Sequence, residues 1–326
     1  MDKREILVSV TLLCYNHGPY LRRCLDSILS QKVNFRYQIV IGDDCSTDNS
    51  QEILREYEQK YPDMFVVIYN EVNIGAAANA RNVRLKRVGK YISEGESDDF
   101  WTDEYRLQKQ VDFLEANPGV IAVGSNYYHA DSRGECLRLA MLKWQVNRTY
   151  VLKDYLRYGY VIHGNTMMFR NIFPENDEKY INLRSVAPLM GDVITRVLLY
   201  SYGDIFVLPD VMHAHSSGEE NKTSFGYKSK TKSIEHSYVY CKIVDALEEY
   251  FDGEYNLNEL KANRAAALMI NKYIRRYDVD KKEYNKFFDS LGPKIRMQAK
   301  IRFIQKCCRE LLNRIGIKLN WTFKEK

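Results

Sequence analysis

No apolar run in the 326-residue chain approaches the ~20 residues a membrane-spanning helix needs. The opening Met1-Asp2-Lys3-Arg4-Glu5 leads into a short apolar run with no small-residue cleavage site, so no secretory signal is expected. Cysteine is scarce: seven residues, an odd count, with no Cys-x-x-Cys pair, which leaves no spacing for a disulfide framework or a zinc ribbon. Buried thiols in a reducing, cytoplasmic compartment are the expectation. No G-x-G-x-x-G follows the first apolar run and no G-x-x-x-x-G-K-[ST] occurs, which argues against dinucleotide-binding dehydrogenases and P-loop nucleotidases. There is no internal repeat and no low-complexity segment.

Charge is spread unevenly. The last 46 residues, 281–326, hold 13 Lys/Arg against 4 Asp/Glu, while the rest holds 35 against 39. An acidic body with a basic tail suggests that the tail meets an anionic membrane surface, a nucleic acid or the body itself.

Apolar periodicity places strands over 6–13, 37–41, 65–69 and 91–94, and helices over 20–30, 50–61 and 76–88 between them. A helix over 105–117, ended by Pro118-Gly119, and a strand over 120–127 follow; strands over 167–169 and 205–208 carry weaker patterns. Strand–helix alternation at this pace predicts an α/β fold with a mainly parallel central sheet flanked by helices. Beyond residue 222 the pattern is helical, so the expected domains are 1–222 and a basic helical region, 223–326.

Ligands of open α/β sheets sit outside the carboxyl ends of the strands. Three strands here end in Cys14-Tyr15-Asn16-His17-Gly18, Gly42-Asp43-Asp44-Cys45-Ser46-Thr47-Asp48 and Glu94-Gly95-Glu96-Ser97-Asp98-Asp99. Carboxylates so close together repel unless a cation or donor groups share the site. Oxygen-rich clusters of this kind suit Mg or Mn rather than zinc. An EF-hand built on Asp44, Ser46 and Asp48 fails, because Asn49 stands where glycine is needed and Arg55 where glutamate is needed.

Five pieces in order carry a resemblance: Val8-Ser9-Val10 with Tyr15-Asn16; Tyr20-Leu21 through Ile28; IVIGDDCSTDNS over 39–50; Asn73-x-Gly75 leading to Ala80-Arg81-Asn82; and Glu96-Ser97-Asp98-Asp99-Phe100-Trp101-Thr102-Asp103 followed by Leu107-Gln108-Lys109-Gln110. Together they resemble an inverting family 2 glycosyltransferase of the GT-A, Rossmann-like fold, of the bacterial surface-polysaccharide type. The resemblance implies metal-dependent transfer of a hexosyl or N-acetylhexosaminyl group from a nucleotide-sugar, with UDP the expected carrier, to a hydroxyl of a glycan or lipid-linked glycan. It implies that Tyr15 and Asp44 hold the nucleobase and that Arg81 contacts the base or diphosphate. Glu96-Ser97-Asp98 stands at the Asp-x-Asp motif, with Glu replacing the first Asp; Asp98 would ligate the divalent cation, Mn or Mg, with Asp99 alongside.

For the catalytic base the resemblance implies Asp192, after Pro188-Leu189-Met190-Gly191, although a helix N-cap is a compatible role there. Of His213 and His215, His215 is preferred as the second metal ligand, and Trp101 is expected in the core rather than as a sugar platform. A nucleotide-sugar-binding protein without catalysis is the alternative reading. A nucleic-acid partner is not expected, since the tail sets mostly aliphatic side chains between its cations. In the tail, Met297, Ile301, Ile304, Cys308, Leu311 and Ile315 recur at 4-3-4-3-4 spacing between cations, with Gly316 closing the helix. That stripe either lies peripherally on the inner face of the cell membrane or packs on the body.

Overall fold

The computed structural model describes residues 5–314 except 132, 160–161, 187–189, 217–232 and 278, with backbone alone at 233 and 309–314. The chain divides into two compact units: Met1–Tyr155 with Tyr160–Asn221, and Leu156–Gly159 with Lys222–Lys326. The sequence pattern put the whole helical region after residue 222. The structure adds to it a short piece from mid-chain, because Leu156 O accepts from Asn263 Nδ2 at 2.8 Å and from Arg302 Nη1 at 3.3 Å.

The first unit runs β1 (Ile6–Cys14), α1 (Gly18–Leu29), β2 (Arg36–Asp43), α2 (Ser50–Lys60), β3 (Phe65–Tyr69), α3 (Ala76–Arg84), β4 (Tyr91–Glu96), β5 (Phe100–Trp101) and α4 (Arg106–Ala116). It continues β6 (Val120–Ala130), β7 (Cys136–Leu139), β8 (Arg148–Tyr150), α5 (Leu152–Tyr158, whose end from Leu156 belongs to the second unit), β9 (Met168–Arg170), α6 (Glu178–Ser185), α7 (Gly191–Tyr202) and β10 (Asp204–Ser216). One sheet orders them β3-β2-β1-β4-β9-β6-β10-β5, with β7 on β6 and β8 on β10. β3, β2, β1 and β4 are parallel, as is the pair β6–β10, while β9 runs antiparallel between β4 and β6.

β1 is central, and Val8, Val10, Leu12 and Cys14 are buried with Leu21, Cys24, Leu25 and Ile28 of α1 in one cluster. Ser9 of the same strand is buried as a polar anchor: the hydroxyl accepts from Val88 N at 3.1 Å, Gly89 N at 2.8 Å and Gln38 Nε2 at 2.9 Å. This pins the α3–β4 turn against the strand so tightly that a Cβ on Gly89 would lie 2.5 Å from Ser9 N and 2.7 Å from Val8 C. Backbone atoms cannot step aside as a flexible side chain can. Gly89→Ala is therefore expected to lower the melting temperature by on the order of 5 °C, measured by calorimetry.

The second unit holds α8 (Ser233–Tyr250), α9 (Asn258–Tyr273), α10 (Lys281–Ser290) and α11 (Pro293–Arg314). Ala265, Leu268, Tyr284, Phe287, Leu291 and Ala299 form its core. No helix among the described residues is long and apolar enough to cross a membrane. All seven cysteines are free, but only Cys14 and Cys24 are buried. Cys136, on a four-residue strand paired to β6 alone, and Cys308 are exposed, which corrects the expectation of buried thiols throughout.

Candidate active site

Parallel register brings three strands to an end at one level: Cys14 lies beside Asp43, and Leu13 beside Glu96. The loops that follow are sewn together by short side chains. Asn16 takes a left-handed backbone (φ 56°), which Asn tolerates well, and its Oδ1 accepts from Thr47 N at 2.8 Å. Asn16 N in turn donates to Ser46 Oγ at 2.9 Å. Asp48 serves two helices at once, accepting from Ser50 N at the start of α2 and from Gly18 N at the start of α1, both at 2.9 Å. Tyr15 stays 46% exposed beside this network.

Asp44 is buried, and both its oxygens are engaged: Oδ1 accepts from Ile74 N at 2.8 Å and Oδ2 from Gly75 N at 2.9 Å. The carboxylate thereby fixes the entry to α3, where Asn79 Nδ2 grips Gly42 O at 2.7 Å. Arg81 projects exposed from the same helix. Ser97 is buried and donates its single hydroxyl proton to Leu13 O at 2.7 Å, so His17 Nδ1, at 2.6 Å, must be the donor to Ser97.

Asp98 and Asp99 are adjacent in sequence and opposite in character. Asp99 is 2% exposed and accepts from four sides: His213 Nε2 at 2.9 Å, Asn165 Nδ2 at 2.8 Å, Ser216 N at 2.9 Å and His215 Nδ1 at 3.1 Å. Burial works against its charge, but the two histidines overcome that and hold its carboxyl well below the usual range. Expected beside Asp98 as a nucleotide-sugar contact, Asp99 instead spends its acceptor directions inside the fold. Asp98 is only partly buried; desolvation and then the charge of Asp99 push its carboxyl up, against the pull of His17 and His215. Glu96 is pushed up as well, by desolvation and then by Asp98, Asp99 and Glu94. Because Glu96 is exposed at the surface, the like charges are the cause that carries weight here.

The two histidines also separate. Arg106, fully buried, can only donate, so its Nη1, 3.3 Å from His213 Nδ1, fixes His213 as the tautomer that donates Nε2–H to Asp99. Both nitrogens of His213 are used. Burial lowers its pKa, against the pull of Asp99. His215 is 32% exposed and turns Nδ1 to Asp99, which leaves Nε2 for another partner. Burial pulls its pKa down, yet Asp99 and Asp98 outweigh that and raise it. A carboxylate behind a histidine is the usual arrangement for a metal-ligating imidazole.

A divalent cation would take one oxygen of Asp98 and one nitrogen of His215, with Asp99 orienting the imidazole. Among the described residues no three His, Cys, Asp or Glu side chains make a metal site by themselves. Two protein ligands would thus leave the remaining positions to ligand oxygens and water.

Asp192 lies in the first turn of α7 with its side chain 59% exposed. Arg196, one turn on and almost wholly buried, donates Nη1 to its Oδ2 at 2.9 Å. Arg184 of α6 holds the helix start, donating to Gly191 O at 2.7 Å and Thr195 Oγ1 at 2.9 Å. Arg196 Nη2 would lie 3.7 Å from a Cβ on Gly164, whose neighbour Asn165 binds Asp99. The arginine that holds Asp192 thus passes near the segment that supplies Asn165. Pro188-Leu189, before it in sequence, lie outside the described residues.

Sequence reasoning missed Arg106, His163, Asn165, Arg184 and Arg196. Only Arg106 left a signal, as a polar residue paired at i,i+4 with Gln110 on the otherwise apolar face of α4. The His163 ring lies 4.6 Å from that of His215, tilted by 43°. Trp101 is buried beneath the Arg106 guanidinium, 4.2 Å from its ring.

The profile of Glycosyl transferase family 2 matches residues 9–176. The uncharacterized protein Mb1547 of Mycobacterium bovis is 38% identical over 111 residues, 34% of this chain and 32% of that protein. The putative teichuronic acid biosynthesis glycosyltransferase TuaG of Bacillus subtilis is 40% identical over 115 residues, 35% of this chain and 44% of that protein. Such matches span about a third to under a half of these curated relatives. The crystal structure of S. aureus TarS 1-349 in complex with UDP-GlcNAc superposes with a TM-score of 0.64 at 16% identity, covering 98% of this chain and 95% of that one. At that identity the likeness speaks for the fold, which is GT-A.

Proposed function

The chain belongs to glycosyl transferase family 2, and from that premise we propose that it transfers a sugar from a nucleotide-sugar, UDP-linked, to a hydroxyl of a glycan or lipid-linked glycan. The observation that carries this reading is the Asp98–Asp99–His215 arrangement at the strand ends.

Tyr15 lies beside the base. Asp44 keeps acceptor capacity for its imide N–H, since a carboxylate has about four acceptor directions and two are taken. Glu96 lines the ribose side and exposed Arg81 meets the diphosphate, whereas Ser97, expected beside them, is fully buried and holds Leu13 O and His17 instead. Asp98 and His215 would hold Mn or Mg, which when bound neutralises charge on the departing diphosphate. Asp192 takes the acceptor proton as the oxygen attacks the anomeric carbon from the face opposite the leaving group, which inverts that centre. Arg196 holds one carboxylate oxygen still and leaves Oδ1 for the incoming hydroxyl. The enzyme works inside the cell, in peripheral contact with the inner face of the membrane.

UDP at a hundred times its Kd should stabilise the protein by about 2.7 kcal/mol, a rise on the order of 5 °C or more in melting temperature. The rise should appear with Mn and vanish with chelator. A thermal-shift screen of nucleoside diphosphates with no rise for any of them, or the same rise with and without metal, would overturn the reading.

A further inference from the structure

α11 has two apolar faces, and the second unit uses one of them. Ala299 is fully buried in the unit's core with Ile295 packed against it, and the Phe303 ring lies 6.2 Å from that of Tyr273. Arg302 locks the same side, donating to Glu259 Oε2 at 2.7 Å and to Leu156 O at 3.3 Å. The other face is bare: Met297 is 58% exposed, Ile301 47% and Ile304 58%, with Cys308 exposed after them. These four are the first members of the stripe that the sequence offers either to a membrane or to the body. Leu311, Ile315 and Gly316 lie outside the described side chains.

At ~100° per residue the four exposed side chains fall within an arc of roughly 60°, with exposed Lys294 and Lys300 roughly 60° to either side. From Pro293 to Cys308 there are five Lys/Arg and no Asp or Glu. Arg296 and Arg302 are spent on Asp289 and Glu259, whereas Lys294 and Lys300 flank the stripe. A second copy laid on this face would set lysines against lysines. A narrow aliphatic stripe edged by long cationic stems matches an interface whose interior is apolar and whose rim is negative.

We propose that the Met297–Ile301–Ile304 face of α11 lies on a bilayer surface carrying anionic lipid, its side chains in the acyl boundary and Lys294 and Lys300 among the headgroups. This deepens the peripheral contact of the proposed function, and its test needs no turnover, so the two fail separately.

The full chain is floated with vesicles of phosphatidylcholine, with and without phosphatidylglycerol. It should rise with the anionic vesicles only. Ile301→Glu with Ile304→Glu, and separately Lys294→Glu with Lys300→Glu, should each cut the floated fraction by about tenfold at unchanged melting temperature. Variants that float as the parent does, equal flotation on neutral vesicles, or a dimer that Ile301→Glu dissociates would each overturn the proposal.

Discussion

Asp192→Asn is expected to lower kcat by about three orders of magnitude, within the range that general-base catalysis contributes, while the Kd for UDP stays within twofold. The amide has nearly the shape of the carboxylate and still offers an oxygen to Arg196 Nη1, so the start of α7 should hold. The ion pair it loses has one partner 59% exposed, and exposed pairs contribute at most about 1 kcal/mol, so the melting temperature should barely move. What disappears is the proton acceptor. Single-turnover kinetics beside UDP titration calorimetry separate the two effects. Turnover surviving in the variant would remove Asp192 from its role, and a parent protein that binds nucleotide-sugar without turnover would favour the non-catalytic alternative.

Asp98→Asn and Asp99→Ala should fail in opposite ways, although the residues are neighbours. Asp99→Ala strips the acceptor from His213, His215, Asn165 and the Ser216 amide at once. Removing one side of a buried, hydrogen-bonded charge network costs about 3–5 kcal/mol, and the melting temperature should fall by roughly 10 °C. Asp98→Asn should leave stability intact or raise it slightly, because Asp99 already opposes charge on Asp98. It should instead abolish the metal-dependent part of UDP binding, read by calorimetry with and without Mn. The reverse pattern, with Asp98→Asn unfolding and Asp99→Ala harmless, would show that the two carboxylates have been given each other's work.

Most of the parallel half was legible because each element answers to one pattern. β3 falls on its expected 65–69, and β1 and α2 differ from expectation by a single residue. Both are buried along a stripe that the sequence repeats faithfully. α3 stops at Arg84 instead of 88, since the turn that follows is claimed by Ser9. Strands β5, β7 and β8 and helices α5 and α6 were not legible. They have two to eight residues, β7 is exposed along its whole length, and short irregular pieces carry no period. Within the site, sequence gathered the carboxylates but not what divides them. That Asp99 is sealed and Asp98 open depends on Asn165, His213 and Ser216, which lie 66 to 117 residues away in the chain.

The piece of mid-chain adopted by the helical unit has a consequence for synthesis. Leu156 leaves the ribosome 107 residues before Asn263 and 146 before Arg302, the donors that will cover its carbonyl. At ~5–20 residues per second that interval is roughly 5–30 s. A nascent chain thus carries, for many seconds, an acceptor whose donors have yet to be translated, and water or a chaperone must stand in until they emerge.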